Sequence, residues 1–199
     1  EGVNYSDVLK DAQELGYAES DPAADVEGSD AADKIAILSG LAFGGAINRA
    51  DIPTTGINLL EAIDVNYARK LGYGIKLLAI SEKDKTQSKS QKSQPLSIWV
   101  EPTLVPEDHP LAGVNGVNNA ILVEGNPIGQ VMFFGPGAGS GPTASAVVAD
   151  ILNIAGIQSI SEDKTFNLDP LLSAKSWRKC HVAEKKSITK KNYIRLMAE

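Results

Sequence analysis

A chain of 199 residues, 43% hydrophobic and 22% charged, has enough apolar material for one domain of ordinary size, or for one plus part of another. Its net charge of −6 offers no basic field for nucleic acid, and no apolar run approaches the roughly 20 residues of a membrane span. The single cysteine, Cys180, excludes an internal disulfide framework and fits a reducing, cytoplasmic compartment.

In chain order, Tyr5–Leu15 carries Val8, Leu9, Ala12 and Leu15 at helical spacing, and Gly16 stands where a glycine closes a helix. The ESDP segment that follows reads as a loop, because the residue before a proline is driven from helical dihedrals. Gly28 allows a tight backbone, Ser29 or Asp30 can cap the next helix, and that helix is expected to run to about Phe43. Between Ala12 and Lys34 lie Glu14, Glu19, Asp21, Asp25, Glu27, Asp30 and Asp33, an acid-rich stretch that ends on a lysine and opens an apolar run. Asp30 and Lys34 are four apart and share a helix face, which Ile37 and Leu41 continue, so Lys34 is expected to look into a covered space. Two readings of the lysine stay open on this ground. One is an exposed i,i+4 pair worth a few tenths of a kcal/mol; the other is a partly buried ammonium poised as a proton donor beside a polar substrate.

GGAINRADIPTTG breaks regular structure, after which Gly56–Ile63 and Asp64–Leu71 read as two short helices. Strands are expected over Ile75–Ile80, within Leu96–Val105, and as a hairpin of AILVEG and QVMFF joined across NPIG. The Lys/Ser/Gln-rich stretch Glu82–Pro95 contains no apolar residue and reads as a solvated hairpin tip. His109, before Pro110, is read as a structural turn residue. Gly135–Gly141, GPGAGSG, delivers a helix that begins near Pro142; such a turn is either a ready anion site or simply a tight connection. Lys175–Arg195 holds eight Lys/Arg against Glu184 alone and reads as a solvated surface, and KNYIRLMAE at the end reads as a strand. Strands in a mixed or antiparallel sheet, covered on one face by helices, make an α+β class.

The spacing A-x3-G-Y-A-x2-D-P-x2-D-V-x-G-x-D-x3-K, from Ala12 to Lys34, resembles the signature of homoserine dehydrogenase at every fixed position. The resemblance continues through IKLLA at Ile75–Ala79, HPLA at His109–Ala112, VNNAI at Val117–Ile121 and GPGAGSGPTASAVVADI at Gly135–Ile151, and covers about the first 155 residues.

The resemblance implies an NAD- or NADP-dependent oxidoreductase that interconverts L-aspartate 4-semialdehyde and L-homoserine, in threonine, methionine and isoleucine biosynthesis. It implies Lys34 as the residue that moves the proton, with Asp30 beside it. Glu19, Asp25 and Asp30 would hold or orient the amino acid, and Tyr17 would offer its backbone carbonyl. Gly137 and Gly139 would touch the cofactor, and the protein would be a homodimer through the catalytic sheet. No metal site is expected within the chain; a monovalent cation would be held upstream of residue 1.

The same resemblance divides the chain. Residues 1–135 would be the catalytic and dimerisation domain, and 136–158 a glycine-rich turn and helix returning to a Rossmann-like nucleotide domain. Residues 159–199 would be a linker and the first strand of an amino-acid-sensing ACT-like domain. Since no G-x-G-x-x-G turn lies near Glu1, the nucleotide-binding half is expected to precede this sequence, and the fragment alone to be inactive. The contrasting reading is a non-catalytic amino-acid-binding regulatory module. A semialdehyde dehydrogenase with a cysteine nucleophile is disfavoured, because Cys180 stands far from every motif.

Overall fold

The computed structural model describes residues 5–16, 20–83, 95–137, 139–161, 178–183 and 190–196. In order they form α1 (Tyr5–Glu14), α2 (Ala23–Val26), α3 (Ser29–Phe43), β1 (Gly45–Ala46) and a 3-10 turn at Arg49–Asp51. Then come α4 (Ala62–Lys70), β2 (Tyr73–Lys83), β3 (Leu96–Pro106), a second 3-10 turn at Pro110–Gly113, β4 (Asn118–Gly125), β5 (Gly129–Pro136), α5 (Ser140–Ser161) and β6 (Arg178–Lys179). Helices beside small sheets give the expected α+β class.

These residues group into two compact units. One gathers the described residues of 21–104 with those from 178 onward, and the other takes α1, Ser20 and the described residues of 105–161. The boundaries differ from those drawn on the sequence, and the physical reason lies in backbone pairing at β3.

β3 is the spine of the first unit. Its run Leu96–Val100 is buried at every position, the signature of a strand covered on both faces rather than of a half-exposed one. β2 pairs with it along one edge. Along the other, Thr55 N donates to Val100 O at 2.8 Å and Val100 N to Pro53 O at 2.9 Å, while Leu96 N donates to His181 O at 2.9 Å and Ala183 N to Leu96 O at 2.7 Å. The segment around Cys180–Ala183 therefore completes this unit, and β6 lies parallel to β1, with Gly45 opposite Arg178. Ala32 on α3 joins Ile52, Leu96, Ile98, Val100 and Val182 in one buried cluster, with Ile35, Ala36, Phe43, Leu77 and Ala79 packed on it. At about 25 cal/mol per Å² of apolar surface removed from water, this cluster is where most of the unit's stabilisation resides.

Several local expectations are corrected. Gly56–Ile63 is not a helix: Leu60 N closes a turn on Ile57 O, and α4 begins only at Ala62. The reason is a reciprocal capping box, in which the Glu61 side chain accepts from the N3 backbone while the Asp64 side chain accepts from Glu61 N at 3.0 Å. The ESDP loop leads directly into α2, where Asp21 Oδ1 accepts from Ala23 N at 3.0 Å. The last strand is also absent over 190–196, which is irregular. The tip of the β2–β3 connection, residues 84–94, lies outside the described residues.

In the second unit β4 and β5 form the expected antiparallel hairpin, Asn118 opposite Pro136 and Gly125 opposite Gly129. Ile121, Val123, Phe133 and Phe134 on the hairpin are exposed, as are Val147, Val148, Ile151 and Leu152 on α5. His109 is structural, as read from the sequence: its Nδ1 accepts from Leu111 N at 3.2 Å and caps the 3-10 turn. Among the described residues no helix is long and apolar enough to cross a membrane.

Candidate active site

The N-terminus of α3 is set by Gly28, which is buried and has φ +80. A side chain there would be strained by the dihedral and would press on Thr54 Cγ2 and Val100 Cγ1, both 3.3 Å from where its Cβ would stand. The helix is thus anchored at its first residue against the β3 spine. One turn on, Lys34 Nζ donates to Asp30 Oδ2 at 2.5 Å, with side-chain exposures of 63% and 41%.

This exposure corrects the expected covered space. α3 turns Ala32, Ala36, Ser39 and Phe43 toward the sheet, which leaves Lys34, Ile37 and Leu41 on its open side. The geometry within this unit is that of an exposed i,i+4 ion pair, presenting an ammonium beside an apolar strip. Asp33, next to that lysine, accepts from Arg49 Nε at 2.8 Å and so ties α3 to the first 3-10 turn. That separates the two adjacent acids, Asp30 serving the lysine and Asp33 the arginine.

Asp25 sits on α2 with its side chain exposed. Its own amide donates to Pro22 O at 3.1 Å, and the next residue's carbonyl, Val26 O, accepts from Ile57 N at 2.8 Å. Asp25, Asp30 and Lys34 therefore belong to one unit, on consecutive short elements. Tyr17 and Glu19 lie outside the described residues.

Gly137 and Gly139 belong to the second unit. Gly139 has φ +114, and a Cβ on Gly137 would overlap the Asn119 side-chain amide. Side chains are thus excluded at Gly137 and at Gly139 on two different grounds. Gly139 and the first residues of α5, Ser140 and Gly141, line a cavity of about 530 Å³ shared with Leu15, Gly16 and Val117. The initial amides of a helix have no acceptor within it, and here they begin a 22-residue helix. An anionic or amide-bearing group fits such a turn.

One constellation had no counterpart in the expectations. Arg195 Nη2 donates to Glu61 Oε1 at 2.9 Å, and its Nη1 donates to Glu61 Oε2 and Asp64 Oδ2, both at 3.1 Å. Tyr193 Oη donates to Asp64 Oδ1 at 3.2 Å, and Lys190 pairs with Glu101. Residues 190–195 thus clamp the start of α4 and the middle of β3, and Asp64 is only 5% exposed beneath them. Partial desolvation, then the Asp64 hydrogen bond, raises the Tyr193 hydroxyl above the ordinary tyrosine value. The hydrogen bond to Glu61 raises the Arg195 guanidinium. The Glu61-x-x-Asp64 spacing was the one available signal, since a box of that kind marks a helix start.

Residues 1–152 match the family model described as homoserine dehydrogenase. The chain belongs to that family. It is 51% identical over 197 residues to the homoserine dehydrogenase of Synechocystis sp., a match that takes in 99% of this chain and 44% of that protein. The crystal structure of a homoserine dehydrogenase from Thiobacillus denitrificans superposes with a TM-score of 0.79 at 39% identity, over 92% of this chain and 41% of that one. A hyperthermophilic archaeal homoserine dehydrogenase mutant, solved in complex with NADPH, gives a TM-score of 0.55 at 30% identity, over 76% of this chain and 40% of that one. The chain therefore spans less than half the length of these family members.

Proposed function

We propose that the protein to which this chain belongs interconverts L-aspartate 4-semialdehyde and L-homoserine, and that this chain supplies its proton-transfer and amino-acid-binding groups. The observation that carries the reading is the Asp30–Lys34 pair, held by Gly28 at the start of α3 within a chain of the homoserine dehydrogenase family. A bound nicotinamide nucleotide, NAD or NADP, supplies the hydride that goes to the aldehyde carbon and accepts it in the reverse direction. As negative charge grows on the aldehyde oxygen, Lys34 stabilises it as an ammonium and gives it a proton, directly or through water. In reverse the amine takes the proton of the homoserine hydroxyl. Asp30, whose Oδ2 accepts from Nζ at 2.5 Å, fixes the lysine's position before the proton moves.

Carboxylates suit the other end of the substrate, which carries an ammonium. Glu19 and Asp25 hold that group, and the backbone carbonyl of Tyr17 accepts one of its hydrogens. Gly137 and Gly139 let the nucleotide approach the backbone, and the 136–158 segment returns the chain to the nucleotide domain. The exposed face of Ile121, Val123 and Phe133, neighbours on one side of the β4–β5 hairpin, supports a homodimer through this sheet, since an apolar patch of this kind on a monomer marks an interaction site. The activity places the protein in amino-acid biosynthesis, in the branch toward threonine, methionine and isoleucine.

The test is NAD(P)H oxidation by the full-length protein with L-aspartate 4-semialdehyde. Turnover that Lys34→Ala abolishes supports the reading. A folded protein that binds L-homoserine with no turnover and no dependence on nucleotide would be an amino-acid-binding module instead.

A further inference from the structure

α2 is four residues long and cannot hold its own position, because a single helical turn costs more conformational entropy than its one or two hydrogen bonds return. Something outside it must fix where Asp25 stands. Its backbone tie to the sheet is the bond from Ile57 N to Val26 O at 2.8 Å. The segment that offers this bond is itself fixed to β3, through Thr55 N to Val100 O and Val100 N to Pro53 O. Between those ties stands Gly56.

An ideal Cβ on Gly56 would lie 2.2 Å from Val26 O, 2.6 Å from Glu27 Cα and 2.9 Å from the Glu27 carbonyl carbon. All three are backbone atoms, so no side chain can swing aside, and the shortest is more than an ångström inside the 3.4 Å at which ordinary contact begins. Gly56 is not among the glycines with positive φ. What the position demands is therefore space and not an unusual dihedral. Most of the chain's other glycines, Gly74 among them, would meet nothing within 4 Å.

We infer that Gly56 is a positioning residue for the amino-acid substrate. Its missing side chain lets the Pro53–Ile57 segment press directly on the Val26–Glu27 backbone, and this contact sets Asp25 relative to β3. The inference rests on the proposed role of Asp25 toward the substrate ammonium. A methyl at position 56 would displace the Val26–Glu27 backbone by on the order of an ångström, a misplacement that costs up to about 10²-fold where it alters a positioned group. Because Asp25 binds a part of the substrate that does not react, the loss falls on KM for the amino acid rather than on kcat.

The experiment is steady-state kinetics of homoserine oxidation by the full-length enzyme, comparing wild type, Gly56→Ala, Asp25→Asn, the double variant, and Gly74→Ala as a control. Gly56→Ala is expected to raise KM for L-homoserine about tenfold or more, with kcat and the nucleotide KM within about threefold of wild type. In the Asp25→Asn background it is expected to add nothing, since residues acting through one contact are not additive. A folded Gly56→Ala with unchanged homoserine KM, or one whose penalty multiplies that of Asp25→Asn, overturns the inference. If Asp25→Asn itself leaves the homoserine KM unchanged, the reading of Asp25 fails, whatever Gly56 does. Should Gly56→Ala not fold, hydrogen exchange of the Ile57 amide in the wild-type enzyme decides. Slowing by roughly tenfold with L-homoserine at ten times its Kd supports the coupling, and no change overturns it.

Discussion

Lys34 Nζ and Asp30 Oδ2 stand 2.5 Å apart across one turn of α3, on the side of that helix which the sheet leaves open. An ion pair so placed adds little to stability, about 0.2–1 kcal/mol at most for exposed partners. Its residues are therefore free to be judged by chemistry. Lys34→Ala in the full-length enzyme should lower kcat by about 10²–10⁴-fold while the melting temperature stays nearly unchanged. Turnover within a few fold of wild type would remove the proton-transfer role from this lysine.

The core makes the opposite forecast. Ile98 is fully buried at the centre of β3, and Ile98→Ala deletes packed methyl groups without letting the surrounding strands collapse. A loss of about 2–5 kcal/mol in a denaturant titration is expected. A loss below about 1 kcal/mol would mean that the cluster on α3 is not what holds the unit together.

Gly28→Ala tests the anchor of α3. The left-handed conformation at φ +80 costs a non-glycine residue about 1–2 kcal/mol, and the methyl must also displace Thr54 and Val100 by a few tenths of an ångström. Urea unfolding should show a destabilisation at the upper end of that range. A neutral result would indicate that the backbone relaxes there.

Arg195 grips two carboxylates at once, one of them buried. Arg195→Ala should lower the thermal midpoint clearly more than Lys10→Ala, which removes only the exposed 3.8 Å pair with Glu14. Equal effects would make the clamp a surface ornament.

Tyr193 gives that clamp a pH dependence. Its raised pKa means that the folded chain holds the phenolic proton more tightly than the unfolded chain does. The associated stability is complete below the ordinary tyrosine value near 10 and disappears as pH climbs through the higher folded value. Thermal melts between about pH 9 and 11 should fall more steeply for wild type than for Tyr193→Phe. Parallel curves would sink this expectation.

How much of this was legible in the sequence depended on whether a local pattern carried the information. α3 announces itself by Gly28 and an apolar sequel, although Gly28 itself stands at the N-cap with no side-chain cap bond and the expected cap residues Ser29 and Asp30 lie inside the helix; β3 shows in its nearly continuous apolar run. The β4–β5 hairpin shows in the alternation of two runs across NPIG. Ile57, Leu60 and Ile63 also space helically, yet the Glu61–Asp64 box starts α4 later and leaves the first part a turn. Lys34 misled because apolar neighbours on its face implied a cover, whereas the sheet takes the helix's other side. The site glycine at position 56 was invisible, since its requirement comes from a backbone met only in three dimensions. Residues 178–183 have a mixed, basic composition with no periodic signal, and Val182 and Ala183 are buried where this segment completes the edge of β3.

That last pairing bears on how the chain acquires its structure. Leu96 and Val182 lie side by side although most of the second unit is synthesised between them. The entropic cost of closing so long a loop grows only logarithmically with its length, so the finished structure loses little by it. The rate is another matter, because distant contacts slow the search for the native arrangement. As the polypeptide leaves the ribosome, Pro53–Thr55 can already cover the Val100 end of that edge, but the Leu96 end must wait unpaired until Cys180–Ala183 emerge, and that interval is when this chain is most exposed to pairing with a neighbour of its own kind.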